Sequence, residues 1–110
     1  MLNNKQLLIL YLISYIPGIK YIDRLVRLLD RADFPAGIEI RKDLDILLKE
    51  KLIVTHENFD NDTPKSYTTT LEGITYLNHH FNKKEIIAYI KSMDNPDFMQ
   101  ELVTASFNKS

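Results

Sequence analysis

The chain has 110 residues, 45% of them hydrophobic, and its 14 Lys/Arg against 15 Asp/Glu give a formal net charge of −1. That length and apolar content suit one globular core and exclude a disordered chain. The absence of cysteine excludes disulfides, thiol catalysis and thiolate metal sites, and a cytoplasmic protein is expected.

Asn3 or Asn4 is positioned to cap a first helix that runs to about residue 16, where Pro17 and Gly18 stop it. The run 7–16 holds nine apolar residues interrupted only by Ser14. About ten residues are half a bilayer span, so no membrane segment is expected. Leu7, Leu8, Leu10, Tyr11, Leu12, Tyr15 and Ile16 occupy nearly every side of this helix. Either its second side meets another copy of the chain, giving a homodimer, or the helix is buried whole within one chain.

A second helix is expected from Ile19 or Lys20 to about Ala32, burying Ile22, Leu25, Val26 and Leu29 at helical spacing. Lys20, Arg24, Arg27 and Arg31 recur at intervals of four, three and four, which lines them along one face. Asp23 and Asp30 are local partners for that stripe if it is only a solvated surface. The segment 33–37, Asp-Phe-Pro-Ala-Gly, breaks the helix.

The third helix, 38–50, buries Ile40, Leu44, Leu47 and Leu48. Projection at about 100° per residue puts Lys42, Ile46 and Lys49 at the centre of its outer face, with Glu39 and Asp45 on the flanks and Arg41 nearer the core edge. Its outward charges nearly cancel. Up to Lys51 the chain carries nine Lys/Arg against seven Asp/Glu, a small excess for a nucleic-acid binder.

Strands over 53–59 and 66–69 form a hairpin around the loop 60–65, where Asp60, Asn61, Asp62 and Pro64 are turn formers. Asp60-Asn61-Asp62 begins like a calcium loop but lacks the following glycine and the distant glutamate. Thr70 is a good N-cap for a fourth helix, 71–81, in which Leu71, Ile74, Tyr76 and Leu77 pack on the core and Gly73 allows close approach. His79 and His80 are adjacent, so their imidazoles diverge by about 100° and do not share a metal; no metal or cofactor is expected.

A fifth helix over 82–92 has Ile86, Ile87, Tyr89, Ile90 and Met93 as its apolar set. Asp94 or Asn95 with Pro96 starts a last helix, whose apolar face is Phe98, Met99, Leu102, Val103 and Phe107.

Two motifs tie these elements together: Leu44-x-x-Leu47-x-x-x-Lys51-Leu52-Ile53, and Tyr67-x-Thr69-Thr70-x-x-Gly73-x-x-x-Leu77. They resemble the winged helix-turn-helix proteins, especially small bacterial regulators of the MarR and PadR kind. Lys51 departs from the family pattern, which has glycine there. In the left-handed conformation lysine costs on the order of 1 kcal/mol, so the helix is expected to close by another route or to run on.

The resemblance implies a mainly α fold with a small β-hairpin wing, a winged helix-turn-helix domain over 1–81 and a C-terminal helical extension over 82–110. It also implies a transcriptional regulator that reads double-stranded DNA as a dimer, built through the first and C-terminal helices. Lys42, Ile46 and Lys49, with Arg41 beside them, would reach bases from the helix 38–50. Lys20, Arg24, Arg27 and Arg31 would hold phosphates, and Lys65 would touch one at the base of a wing whose tip is too acidic to enter a minor groove. An enzyme is not expected, because no nucleophile has a base at recognisable spacing and none of the three glycines is placed to cradle phosphate. The alternative is a winged-helix protein–protein interaction module that does not bind DNA.

Overall fold

Asn3 closes the N-terminus of α1 (Asn4–Tyr15) with a capping box: its side chain accepts from the Gln6 N–H at 2.9 Å, and the Gln6 side-chain oxygen accepts from the Asn3 N–H at 3.1 Å. These reciprocal bonds satisfy donors that a bare helix end leaves open. In the computed structural model of the chain, the residues described are 2–16, 24, 27, 28, 40–56 and 66–108. Expectations for the break at Pro17-Gly18, for the segment 33–37 and for the hairpin loop lie outside them.

All eight residues from Gln6 to Ile13 are buried. More than two turns of helix are thus covered on every side, by α2 (Ile40–Lys49), β2 (Ser66–Thr69), α3 (Leu71–His80) and α4 (Lys83–Lys91). α5 (Asp97–Asn108) completes the cover around Tyr11, whose ring stacks on Phe81 at 4.6 Å and meets the edge of Phe107 at 5.6 Å. The Tyr11 hydroxyl shares a 2.6 Å hydrogen bond with Ser106 Oγ. The apolar surplus that pointed to a homodimer through the first helix is therefore met inside the chain, because its C-terminal helices fold back onto α1. Ile86, Ile90, Met93, Met99 and Val103 join the same core as Leu8, Leu10 and Leu12.

The fold is mainly helical, with a two-stranded antiparallel sheet among the described residues. β1 (Ile53–His56) pairs with β2 in the register Ile53↔Thr69 to His56↔Ser66. Ser14 Oγ fastens this hairpin to α1 through a 2.6 Å bond with Thr69 Oγ1.

The corner between α2 and β1 shows how lysine takes the place of glycine. Lys51 has φ 62°, in the left-handed region. Its N–H donates to Leu48 O and that of Leu52 to Leu47 O, both at 3.0 Å, which is a Schellman closure with buried Leu52 and Leu47 as its apolar pair. The helix uses the ordinary route and bears the strain. Lys51→Gly is accordingly expected to raise stability by about 1 kcal/mol, read as a higher urea midpoint with an unchanged slope.

A second corner locks onto the first. The Thr70 N–H donates to Leu52 O at 3.0 Å, and its hydroxyl donates to Lys51 O at 2.7 Å while accepting from the Gly73 N–H at 3.0 Å. Thr70 thus caps α3 and clasps the end of α2 at once. Gly73, at the closest point, lies against the Leu52 carbonyl.

Several burial expectations are corrected. Leu71, expected in the core, is 83% exposed, because at about 100° per residue it points some 160° away from Gly73, the residue facing the clasp. Phe98 is 43% exposed, since it turns away from buried Met99 and Val103. Leu28, absent from the expected core set, is buried.

Candidate nucleic-acid interface

α2 is held by one sharply apolar side. Ile40, Leu44 and Leu47 are each at most 1% exposed, and Leu48 is half-buried. The opposite arc carries Arg41, Lys42, Asp45, Ile46 and Lys49, all exposed. Lys42, Ile46 and Lys49 share one exposed face, as the spacing predicts, and Arg41, nearer the core edge, is exposed as well.

Asp43 faces away from this arc, and sequence reasoning passed over it. It is buried at 7% exposure. Its Oδ1 accepts from Gln6 Nε2 at 3.2 Å, and its Oδ2 lies 2.8 Å from Lys5 Nζ. No donor is aligned on Oδ2, so the ammonium charge is what compensates it there. The carboxylate faces α1; among the described residues of this helix, Arg41, Lys42 and Lys49 are exposed together with Asp45. Glu39, the other carboxylate expected on the flank of this face, lies outside the described residues. Glu50 and Lys51, both exposed just past the helix end, offset one another.

The Asp43 carboxylate also acts on Tyr89 of α4. Burial first, and this nearby negative charge second, push the Tyr89 hydroxyl up to about 12. Folded Tyr89 then keeps its proton where the unfolded chain releases it near pH 10, as expected for an ordinary tyrosine. Its contribution to stability is intact below about pH 10 and is lost as pH rises toward about 12. The stability profile of Tyr89→Phe should be flatter than the wild type's across that window.

Of the expected phosphate stripe, Arg24 and Arg27 are helical and exposed while neighbouring Leu28 is buried, an outward orientation for both arginines. Lys20, Arg31 and Lys65 lie outside the described residues.

Ile46 and Glu50 also wall an open groove of about 530 Å³, whose other side is made by Leu71, Glu72, Tyr76 and His80. Assigning Leu71 to the core hid this feature at the level of sequence. Tyr76 is fixed there by accepting a 3.0 Å bond from the Leu2 N–H and by its ring contact with His80 at 4.2 Å.

Among the described residues, no three His, Cys, Asp or Glu side chains gather as a metal site, and no helix is long and apolar enough to cross a membrane. Set against family models, curated proteins and solved structures, the chain matches none of them.

Proposed function

We propose that the chain is a cytoplasmic DNA-binding transcriptional regulator of winged-helix type, with α2 as the reading helix and β1–β2 as the stem of the wing. The observation that carries this reading is the outer face of α2, where, among the described residues, three cations and one exposed isoleucine stand against a single carboxylate. Arg41 and Lys42, in the first turn of the helix, are placed as base-reading residues are in helix-turn-helix docking. Either takes a guanine edge or a phosphate, Ile46 meets a thymine methyl, and Lys49 holds the backbone further along. Arg24 and Arg27 supply phosphate contacts from the preceding segment, joined by Lys20 and Arg31, with Lys65 at the base of the wing.

Replacing Lys42 and Lys49 together by alanine tests this reading in a mobility shift on duplex DNA. Affinity at low salt should fall by more than about tenfold, with helical content unchanged. Retention of wild-type affinity would remove α2 from the interface.

The groove beside Ile46 favours a second reading, a module that docks an apolar segment of a partner protein on Leu71 and Ile46. Under that reading Leu71→Ser abolishes partner binding, and the lysine changes leave it intact.

A further inference from the structure

The groove beside Ile46 is walled on one side by a stripe that runs the whole length of α3. Leu71, Glu72, Thr75, Tyr76, His79 and His80 line it; their spacing keeps them on one side of the helix over about 13 Å. Ile46 and Glu50, four residues apart, make the facing wall, and buried Leu2 and Leu52 complete the lining. Its volume of about 530 Å³ lies within the ordinary range for small-molecule sites.

The two ends of the groove differ. Glu50 directly precedes Lys51 and Glu72 comes two residues after Thr70, and the Thr70 hydroxyl donates to Lys51 O at 2.7 Å. The clasp between α2 and α3 therefore brings both carboxylates in at one end. Toward the other end the Tyr76 ring lies 4.2 Å from that of His80, with its hydroxyl held by the Leu2 N–H. Ile46 and Leu71, 40% and 83% exposed, turn apolar surface toward the space between.

Among the described residues, neither Glu50 nor Glu72 takes part in an ion pair, and the lining holds no lysine or arginine. Two like charges entering one concavity repel each other, and a cation between them is attracted by both. An ammonium also donates to carboxylate oxygens, and such charge-assisted bonds are about twice as strong as neutral ones. A hydrated inorganic cation would use the carboxylates alone and leave Ile46 and Leu71 facing water.

We propose that this groove binds a small organic cation, an ammonium group carried on an aromatic body. The ammonium sits between Glu50 and Glu72, and the ring covers Leu71 and Ile46 and reaches Tyr76. Burial of the ring supplies most of the affinity, and the carboxylates select the charge. Binding of such a ligand depends neither on DNA binding nor on a protein partner.

Titration of the isotope-labelled full chain with naphthylethylamine, followed by its amide NMR shifts, tests it; neutral naphthylethanol and anionic naphthylacetate carry the same ring. The amine should bind at about 100 µM, an ordinary affinity for a ligand of this size, with shifts centred on Ile46, Leu71 and Tyr76. The alcohol should bind about tenfold more weakly, and the acetate more weakly still. Glu50→Gln with Glu72→Gln should lower the amine to the affinity of the alcohol and leave the alcohol unchanged, which shows the groove intact, whereas Leu71→Ser should weaken both. Equal affinities for amine and alcohol would make the groove a purely apolar one, of the kind a partner's apolar segment fills, and would overturn the proposal. So would the absence of saturable shifts below about 2 mM amine, shifts centred on the Tyr11–Phe81 cluster instead, or a glutamine variant that binds the amine as the wild type does.

Discussion

Gly73→Ala is expected to destabilise the protein by about 3 kcal/mol, the upper range for forcing extra atoms into a filled site. A Cβ at this position would overlap the Leu52 carbonyl oxygen and come within 2.6 Å of Thr69 Cγ2 and 3.2 Å of the Leu52 carbonyl carbon. Two of these three neighbours are backbone atoms, so no rotamer change relieves the clash. Nor is the carbonyl free to swing aside, because it accepts the Thr70 N–H at 3.0 Å while the Thr70 hydroxyl holds Lys51 O at 2.7 Å. The melting temperature should fall by roughly 10 °C or more. Thr70→Ala, which loses the cap and one clasp bond but adds no clash, should cost about 1 kcal/mol. A Gly73→Ala loss no larger than that of Thr70→Ala would mean that the two corners are not locked together.

The second large effect is expected at Lys5. Its side chain is 17% exposed and that of its partner Asp43 only 9%. Lys5→Met leaves the carboxylate with Gln6 Nε2 at 3.2 Å as its hydrogen-bond donor and with no compensating charge. The cost should be about 3 kcal/mol, the lower part of the range for breaking a buried pair, since both groups keep some contact with solvent. Adding Asp43→Asn removes the stranded charge while keeping an acceptor for Gln6, and most of the loss should return. Urea denaturation of the two single variants and the double variant closes the cycle. Additive losses would show that the ion pair does not couple α1 to α2.

Much of the local structure was legible because it rests on neighbours in sequence. Asn3 and Thr70 act as the caps their side chains suggest, and the outward set Lys42, Ile46 and Lys49 follows from helical spacing alone. The close approach at Gly73 was legible too, although the group it approaches was not. What escaped is what distant segments decide. Eight consecutive buried residues in α1 read the same whether a second copy or the chain's own C-terminus covers them. Asp43 looks like one more exposed charge until Gln6, 37 positions away, is brought beside it. Lys51 in the left-handed region shows a Schellman closure overriding a residue preference worth about 1 kcal/mol.

The central claim is that the outer face of α2 is an electrostatic surface for duplex DNA, carried by Arg41, Lys42 and Lys49. The salt dependence of binding to a random duplex tests it most directly, because each neutralised phosphate releases counterions whatever the sequence. Wild-type protein should bind at tens of micromolar or better in low salt, with affinity falling steeply as salt rises. In the variant carrying Lys42→Ala and Lys49→Ala, the slope of log K against log salt should be shallower by about two. No binding at low salt, or the same slope in both proteins, would contradict the account.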